Sequence, residues 1–309
     1  MAARVAQGDS TVPDGGGRRT SKWGVARCGQ GLVLCLLALG GPLRAADRME
    51  KTLEATSNPR LTVTNLAGQI VVRGWDKSQV HAVYTLVSPH VEWDTEAIPP
   101  AGPADKIRFV THLLDPTVAA SEQNVDCNLD VPLGSSLEIR NAQGSVRIEN
   151  LQGDDASVET VGAAISVSDF SGHLFVQSVG GNIDVSRASG RVEAYSITGN
   201  LHFVSPTTSK LRGSTTSGRI LFEGDFPEGG DYSLSDYSGD MELLCPPWAS
   251  FELFAKTVQG KLVNEMPMTV RRRAATPLSS ANSFFGTHLT GKATVNLKSF
   301  SGTIRIRQR

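Results

Sequence analysis

Apolar and polar residues alternate in short segments along most of the chain, and many of these segments follow a glycine. In the stretch SVGGNIDVSRASGRVEAYSITGNLHF, Ile183 and Val185 come two and four residues after Gly181, and Leu201 and Phe203 follow Gly199 at the same spacing. A period of two places both apolar side chains on one face of a β-strand. The pattern therefore predicts short strands that each bury one face and are separated by turns.

One template recurs along the chain. It consists of a small hydrogen-bonding residue, two variable positions, a glycine, any residue and then an apolar residue that is often followed two places later by another. The small residue can bond its local backbone and stabilise a turn, and glycine permits positive φ or close backbone approach. The turn glycines are Gly68, Gly144, Gly172, Gly181, Gly190, Gly199, Gly218, Gly239, Gly260 and Gly302. Their spacing indicates a repeat of two strands in about 18 to 21 residues.

Repetition of this template predicts the fold class. One repeat cannot bury its own apolar side chains, whereas stacked repeats bury them in a continuous column. We therefore expect an all-β protein built as a β-solenoid, with a β-sandwich as the alternative that strand spacing also allows. The expected organisation is a single repetitive β domain over residues 47–309, with an N-terminal β portion and Pro-rich loop at 47–135 and glycine-marked solenoid repeats at 136–309.

The first 46 residues follow a different pattern. Basic residues precede the apolar run LVLCLLALGG at Leu32–Gly41, and the small residues Ala45 and Ala46 come after it. This order is typical of a secretory signal peptide, and the run is shorter than the roughly 20 residues of a transmembrane helix. We predict a signal peptide over residues 1–46, a mature chain that begins close to Asp47, and export to the periplasm, cell envelope or extracellular space. Retention of the segment as an anchor is the alternative.

Composition and residue spacing limit the chemistry. The formal net charge is −1, with 30 basic and 31 acidic residues, so we expect no nucleic-acid partner. The histidines are scattered and no nucleophile elbow occurs, so we expect no metal, cofactor or catalytic residue. Asp240 and Glu242 leave one strand face about 7 Å apart, a spacing used by acid–base pairs on sugars. We expect that face to be solvated, and a carbohydrate-active β-helix enzyme is the alternative.

Two cysteines follow the proposed signal peptide. Cys127 and Cys245 each lie in an alternating strand pattern, in phase with the apolar residues. We expect both thiols to be buried and to act as small hydrophobes. A disulfide between them in an oxidising compartment is the open alternative.

Three features carry a resemblance to a known family. They are the spaced SG-x-I-x-V copies, the segment GQIVVRGWDKSQV at Gly68–Val80 and the segment DVPLGSSLEIRNAQGSVRIENLQG at Asp130–Gly153. Together they resemble the bacterial putative-adhesin family, a domain of unknown function with repetitive β-structure, over most of residues 50–309. The resemblance implies a non-catalytic, exported envelope or cell-surface repeat protein that acts as an adhesin, scaffold or surface-sensing module. The chain departs from the family pattern at Ser88–Asp105 and at Met266–His288, where features particular to this protein are expected.

Local runs of arginine occur near the end of the chain. They comprise Arg271, Arg272 and Arg273 in the long break and Arg305, Arg307 and Arg309 at a period of two in the last strand. If the repeats stack in chain order, these residues meet at one end and form a cationic patch. Guanidinium groups bind two oxygens of phosphate or carboxylate at once. The patch predicts contact with an anionic envelope polymer or lipid headgroups, and a basic cap that prevents edge-to-edge pairing is the alternative.

Overall fold

A computed structural model describes residues 47–119, 122–270 and 282–309. The predicted signal peptide at 1–46 and the residues Arg271, Arg272 and Arg273 lie outside the described residues. The strands are β1 (Asp47–Trp75), β2 (Gln79–Leu86), β3 (Val91–Ile98), β4 (Ala104–Leu113), β5 (Val125–Pro132), β6 (Ser136–Leu151), β7 (Asp155–Thr160), β8 (Ala164–Ser178), β9 (Ile183–Ser186), β10 (Ser189–Ser196), β11 (Leu201–Val204), β12 (Lys210–Thr215), β13 (Ile220–Glu223), β14 (Asp231–Asp236), β15 (Met241–Cys245), β16 (Phe251–Thr257), β17 (Leu262–Asn264), β18 (Thr269–Val270), β19 (Ser283–His288), β20 (Ala293–Ser299) and β21 (Ile304–Gln308).

The regular structure of these ranges consists of strands, which confirms the all-β prediction. Within the described ranges, no helix has the length and apolar character needed to cross a membrane.

Parallel strands form two columns, and each repeat adds one strand to each column. Column one runs, in order of pairing, through β5, the end of β1, the end of β6, the start of β8, β9, β11, β13, β15, β21 and β17. Column two runs through β4, the middle of β1, the start of β6, β7, the end of β8, β10, β12, β14, β20 and β16. We call each pair of neighbouring strands, one from each column, a level.

The register between levels follows the repeat of the sequence. Ile183 in β9 pairs with Leu201 in β11, and Leu201 pairs with Ile220 in β13. Ile183 and Val185 are buried and Asp184 between them is exposed, as the period of two predicts. Apolar side chains from both columns belong to one buried cluster, so the apolar positions of successive repeats share a continuous core.

The levels do not follow chain order at either end of the stack. Strand β20 pairs with β14 and β16, and β21 pairs with β15 and β17, so the last repeat is inserted between two earlier ones. At the other end, β5 and β6 both pair with the end of β1, which places a later segment before the first repeat. The condition of stacking in chain order, on which the cationic patch at one end depended, is therefore not met. Because β21 already has a paired neighbour on each side, its arginines do not protect a terminal edge.

Antiparallel strands cover edges at both ends of the stack. In column two, β3 pairs with β4 and β19 pairs with β16. In column one, β2 pairs with β5 and also with the start of β1. An open edge offers unpaired backbone groups to another chain, and these antiparallel strands occupy the groups at their positions.

The repeat glycines lie at two corners of the stack. Gly172 and Gly190 lie where the chain returns from column one to column two, and the others lie at the corner from column two to column one, which we call the glycine corner. At the glycine corner, a Cβ on Gly199 would lie 2.0 Å from the carbonyl oxygen of Gly181. A Cβ on Gly218 would lie 2.0 Å from the carbonyl oxygen of Gly199. Close backbone approach between levels is therefore what requires glycine at these positions.

At five of these glycines, the small residue three positions before the glycine closes the turn. The hydroxyl of Ser178 accepts a hydrogen bond from the N–H of Gly181 at 2.8 Å, and that of Ser196 accepts one from Gly199 at 2.9 Å. Thr215, Thr257 and Ser299 make the same bond. The prediction that these residues bond their local backbone is confirmed.

Both cysteines are buried and unpaired. Burial raises the pKa of the Cys127 and Cys245 thiols. The structure thus confirms the interpretation of the two residues as small core hydrophobes.

Candidate functional site

Arg305 and Arg307 lie on the outer face of β21, and Arg309 follows the end of that strand. The side chains of Ile304 and Ile306 are buried in the core on the other face. The N–H of Arg309 donates to the carbonyl oxygen of Cys245 at 2.8 Å, which continues the backbone ladder between β21 and β15. The column geometry therefore fixes the direction in which each of these arginines leaves the stack.

Glu242 is the centre of an ion-pair cluster on this face. It is only 8% exposed, its Oε2 pairs with Nη2 of Arg219, and its Oε1 lies 3.3 Å from Nη1 of Arg307. Arg307 also places its Nε 3.4 Å from Glu265 Oε1. A buried carboxylate is tolerated when it is paired in this way. The expectation of a solvated Glu242 is therefore wrong, because arginines from the neighbouring levels cover it.

The partner carboxylate of the predicted outward pair is also engaged. Asp240 Oδ1 accepts the N–H of Thr303 at 2.8 Å, between the levels of β15 and β21. Arg307 is held by Glu242 and Glu265, whereas none of the described carboxylates forms an ion pair with Arg309. Arg305 also forms no ion pair with the described carboxylates, so Arg305 and Arg309 are the arginines of this strand end that are available to a ligand.

A similar cluster lies on the outer face of column two. Glu193 is nearly buried and contacts Arg191 Nη2 at 2.6 Å, His173 Nε2 at 3.2 Å and the hydroxyl of Tyr195 at 3.0 Å. Burial, the strongest single influence, raises the pKa of Glu193, but the hydrogen bonds and the Arg191 charge together hold that pKa below its usual value. The described residues contain no group of three side chains arranged to hold a metal ion. Glu193 thus pairs with Arg191 of its own strand and is contacted by His173 from the neighbouring level.

A cleft of about 540 Å³ opens beside Arg309, at the corner where the chain leaves column one. We call it the Trp248 cleft. Its walls come from the loops that follow β11, β13, β15 and β21, and they include Pro206, Thr207, Asp225, Pro246, Trp248 and Arg309. Its volume falls in the range of about 300 to 1,000 Å³ that is typical of small-ligand sites.

An aromatic cluster holds the loop of Asp225 in place. Phe226, the next residue, is buried and stacks on Phe222 with ring centroids 4.9 Å apart, and its ring also lies 4.8 Å from those of Tyr232 and Phe251. The N–H of Phe226 donates to Asp225 Oδ1 at 2.7 Å. The wall of the cleft is therefore anchored to the core.

Trp248 is the most exposed large apolar side chain of the described residues, at 68%. It lies in a tight turn in which the N–H of Ala249 donates to the carbonyl oxygen of Pro246 at 3.0 Å. The alternating pattern did not indicate this site, although the segment PPWAS directly after a strand places an aromatic residue where no core position follows. Such a residue in a corner turn is the signal that could have identified it.

A second feature missed by the sequence pattern is a row of exposed apolar residues along the glycine corner. Each member directly follows the small residue that closes the turn. Tyr237, which is 55% exposed, stacks on Phe300 with ring centroids 4.7 Å apart and an interplanar angle of 1°. The other members with high exposure are Val161, Val179, Ile197 and Val258. The template leaves the position after the small residue variable, but that position is apolar in most copies of the sequence.

Asp236 is an exception in the row of small turn residues. It pairs in register with Thr215 and Ser299, and it is only 7% exposed. Burial raises the pKa of its carboxyl to about 6, and the Asp240 carboxylate adds to this effect while N–H groups of the turn oppose it. Among the described residues, none makes a hydrogen bond of regular geometry to either of its carboxylate oxygens.

We expect Asp236→Ser to stabilise the protein at pH 7.5 and to have little effect at pH 4. The folded-state pKa of about 6 lies above the unfolded value, so the native state binds more protons between about pH 4 and pH 6, and stability falls as pH rises through that window. A shift of about two pKa units corresponds to about 1 to 3 kcal/mol above pH 6. Urea denaturation at both pH values measures the difference. The matched variant Asp231→Ser, at an exposed position of the same strand, should show no such pH dependence.

Comparisons with known proteins give structural likenesses alone. No protein-family model and no curated protein sequence matches the chain. A putative adhesin from Bacteroides fragilis is 12% identical, with 84% of this chain and 97% of that one covered and a TM-score of 0.46. A putative adhesin from Parabacteroides merdae is 7% identical (86% and 97% covered, TM-score 0.40), and a putative lipid binding protein from Parabacteroides distasonis is 9% identical (84% and 97%, TM-score 0.27). The TM-scores are low, so the likeness defines neither the exact fold nor the activity of this chain.

Proposed function

We propose that residues 47–309 form one β-solenoid domain that serves as a non-catalytic, exported repeat protein of the cell envelope or cell surface. The observation that carries this proposal is the pair of parallel columns, in which equivalent residues of successive repeats stand in register. Such a stack is rigid along its length and presents side chains in fixed rows. A rigid array of this kind suits an adhesin, a scaffold or a surface-sensing module. The local sequence features that resemble the putative-adhesin family are compatible with the same role, and no family model matches the chain as a whole.

The state of the outward carboxylates also supports a non-catalytic role. A general acid on a sugar needs a carboxyl whose pKa is raised and whose proton is available. Both carboxylate oxygens of Glu242 are instead engaged by Arg219 and Arg307, so neither is free to contact a glycosidic oxygen. Asp240 accepts a backbone hydrogen bond from the next level. These contacts favour a structural use of both residues over a carbohydrate-active β-helix enzyme.

We further propose that the C-terminal arginines contact an anionic envelope polymer or lipid headgroups. Arg305 and Arg309 extend from the outer face and the end of β21, whereas Arg307 is engaged within the protein. Arg271, Arg272 and Arg273, which the sequence assigns to the same patch, lie outside the described residues, so this proposal rests on Arg305 and Arg309. Basic groups near an anionic surface contribute additively to attraction and are screened by salt.

Retention on purified envelope tests this function. The exported protein, whose N-terminus should lie near Asp47 on sequencing, is compared with the double variant Arg305→Ser/Arg309→Ser at low and raised salt. We expect retention of the parent and binding about thirtyfold weaker in the variant, since each of the two basic residues near an anionic surface contributes about 1 kcal/mol. Arg212→Ser, at an exposed position on β12, is the matched control. Absence of retention in the parent would contradict the function, and retention unchanged by substitution and salt would contradict the patch.

A further inference from the structure

We propose that the Trp248 cleft binds an acidic sugar, a pyranose ring that carries a carboxylate, within an anionic polysaccharide. The inference rests on the proposed function, because it names the class of envelope ligand that the C-terminal region takes. Four levels of the stack contribute to the cleft, so its parts are held at fixed spacing by the backbone ladders between them.

The apolar walls fit the face of a sugar ring. Trp248 exposes most of its indole, and Pro206 and Pro246 add rigid apolar surface to the same cleft. The C–H groups on one face of a pyranose form a flat, weakly polar surface that packs on an indole ring, whose face carries negative charge density. Tryptophan also loses little conformational freedom when it makes such a contact. A large flat side chain in solvent therefore points to a flat ligand.

The polar groups of the cleft fit the edge of the ring. Thr207 and Asp225 lie among the lining residues, and hydroxyl and carboxylate groups are the usual partners of sugar hydroxyls. Asp225 uses Oδ1 for the N–H of Phe226, which fixes the orientation of the carboxylate. A carboxylate in the wall accepts hydrogen bonds from hydroxyl donors and repels a ligand that is anionic on every side.

Arg309 gives the cleft its preference for an acidic ring. Arg309 lines the same cleft and forms no ion pair with the described carboxylates. The planar fork of a guanidinium binds both oxygens of a carboxylate. Arg309 can bind a carboxylate of the ligand, and Asp225 can accept hydrogen bonds from its hydroxyl groups. This combination fits a ligand that carries one negative charge and several hydroxyls. A phosphate or a lipid headgroup would use Arg309 but would leave the indole face uncovered.

Calorimetric titration of the full exported protein tests the assignment. The probes are short oligomers of galacturonic, glucuronic and mannuronic acid, a neutral galactose oligomer, and inorganic phosphate. We expect at least one acidic oligomer to bind, with binding about tenfold or more weaker in Trp248→Ala. Arg309→Gln should weaken the acidic oligomer by about tenfold, because a charge-assisted bond is lost, and should leave any binding of the neutral oligomer unchanged. Tyr237→Ala and Arg212→Gln are controls, since they remove an exposed aromatic and an exposed arginine elsewhere on the stack.

Three results would overturn the inference. They are the failure of every acidic oligomer to bind the parent, equal binding by parent and Trp248→Ala, and phosphate binding as strong as that of the oligomers. If the parent is retained on envelope but shows one of these results, the cleft assignment fails and the proposed function stands. If the parent is not retained on envelope, the proposed function fails.

Discussion

Gly181→Ala should lower the free energy of unfolding by about 3 kcal/mol or more, whereas Gly180→Ala should change it by less than about 1 kcal/mol. A Cβ on Gly181 would lie 1.9 Å from the carbonyl oxygen of Ala163 and 2.5 Å from its carbonyl carbon. These atoms are backbone of the neighbouring level, so relief requires the two levels to separate. Separation would weaken the bond from the N–H of Ile165 to the carbonyl oxygen of Asn182, which is 2.8 Å long.

Gly180 is a matched control because it is the adjacent residue of the same turn. A Cβ there would meet the Thr198 hydroxyl at 3.6 Å, which is an ordinary contact, and the position is exposed. Urea denaturation followed by circular dichroism measures both variants. Similar losses in the two variants would show that turn conformation, and not contact between levels, determines the need for glycine at this corner.

Ile183→Asp should cost several kcal/mol of stability, because it places an unpaired carboxyl in the core between the columns. Ile183 is 1% exposed, and its neighbours in register are Ile165 and Leu201. These neighbours are apolar, so they offer the introduced carboxyl neither a charge partner nor a hydrogen bond in place of water. A large loss of stability, seen as a lower midpoint in a urea titration with little change in slope, is the expected result.

Asp184→Ala provides the control on the opposite face of the same strand. Asp184 is exposed, and its Oδ1 lies 3.3 Å from His202 Nδ1. A surface pair of this kind contributes little to the free energy of unfolding. We expect a change of about half a kcal/mol or less. Equal effects of the two substitutions would contradict the strand phase on which the description of the core depends.

The ion-pair cluster around Glu242 and the Trp248 cleft lie on different surfaces of the stack, and substitutions in them have different consequences. Glu242 is buried between Arg219 and Arg307, so removing Arg307 leaves a buried carboxylate with one partner fewer. Trp248 and Arg309 lie at the exposed corner and line a cleft. Loss of binding after substitution of Arg307 would therefore reflect a change in stability as well as in contact, whereas Trp248 reports on the cleft itself.

Local features of the fold followed from the amino-acid sequence alone. The period of two identified Ile183 and Val185 as core residues, because side-chain direction along a strand depends only on position within that strand. The turn role of Ser178 was also predictable, since its hydroxyl bonds an N–H three residues away. The burial of Cys127 and Cys245 followed from the same alternation.

Only the tertiary structure decided the order of the levels and the features that depend on it. The repeats share one template, so the pattern gives β21 no preference for a place between β15 and β17 over a place at the end of the stack. Glu242 is buried because Arg219 and Arg307 come to it from the levels on either side, and Arg307 belongs to a level that is distant in sequence. The Trp248 cleft likewise combines loops from four levels. Strand periodicity is a property of each segment, whereas pairing between similar edges is determined by the packing of the whole stack.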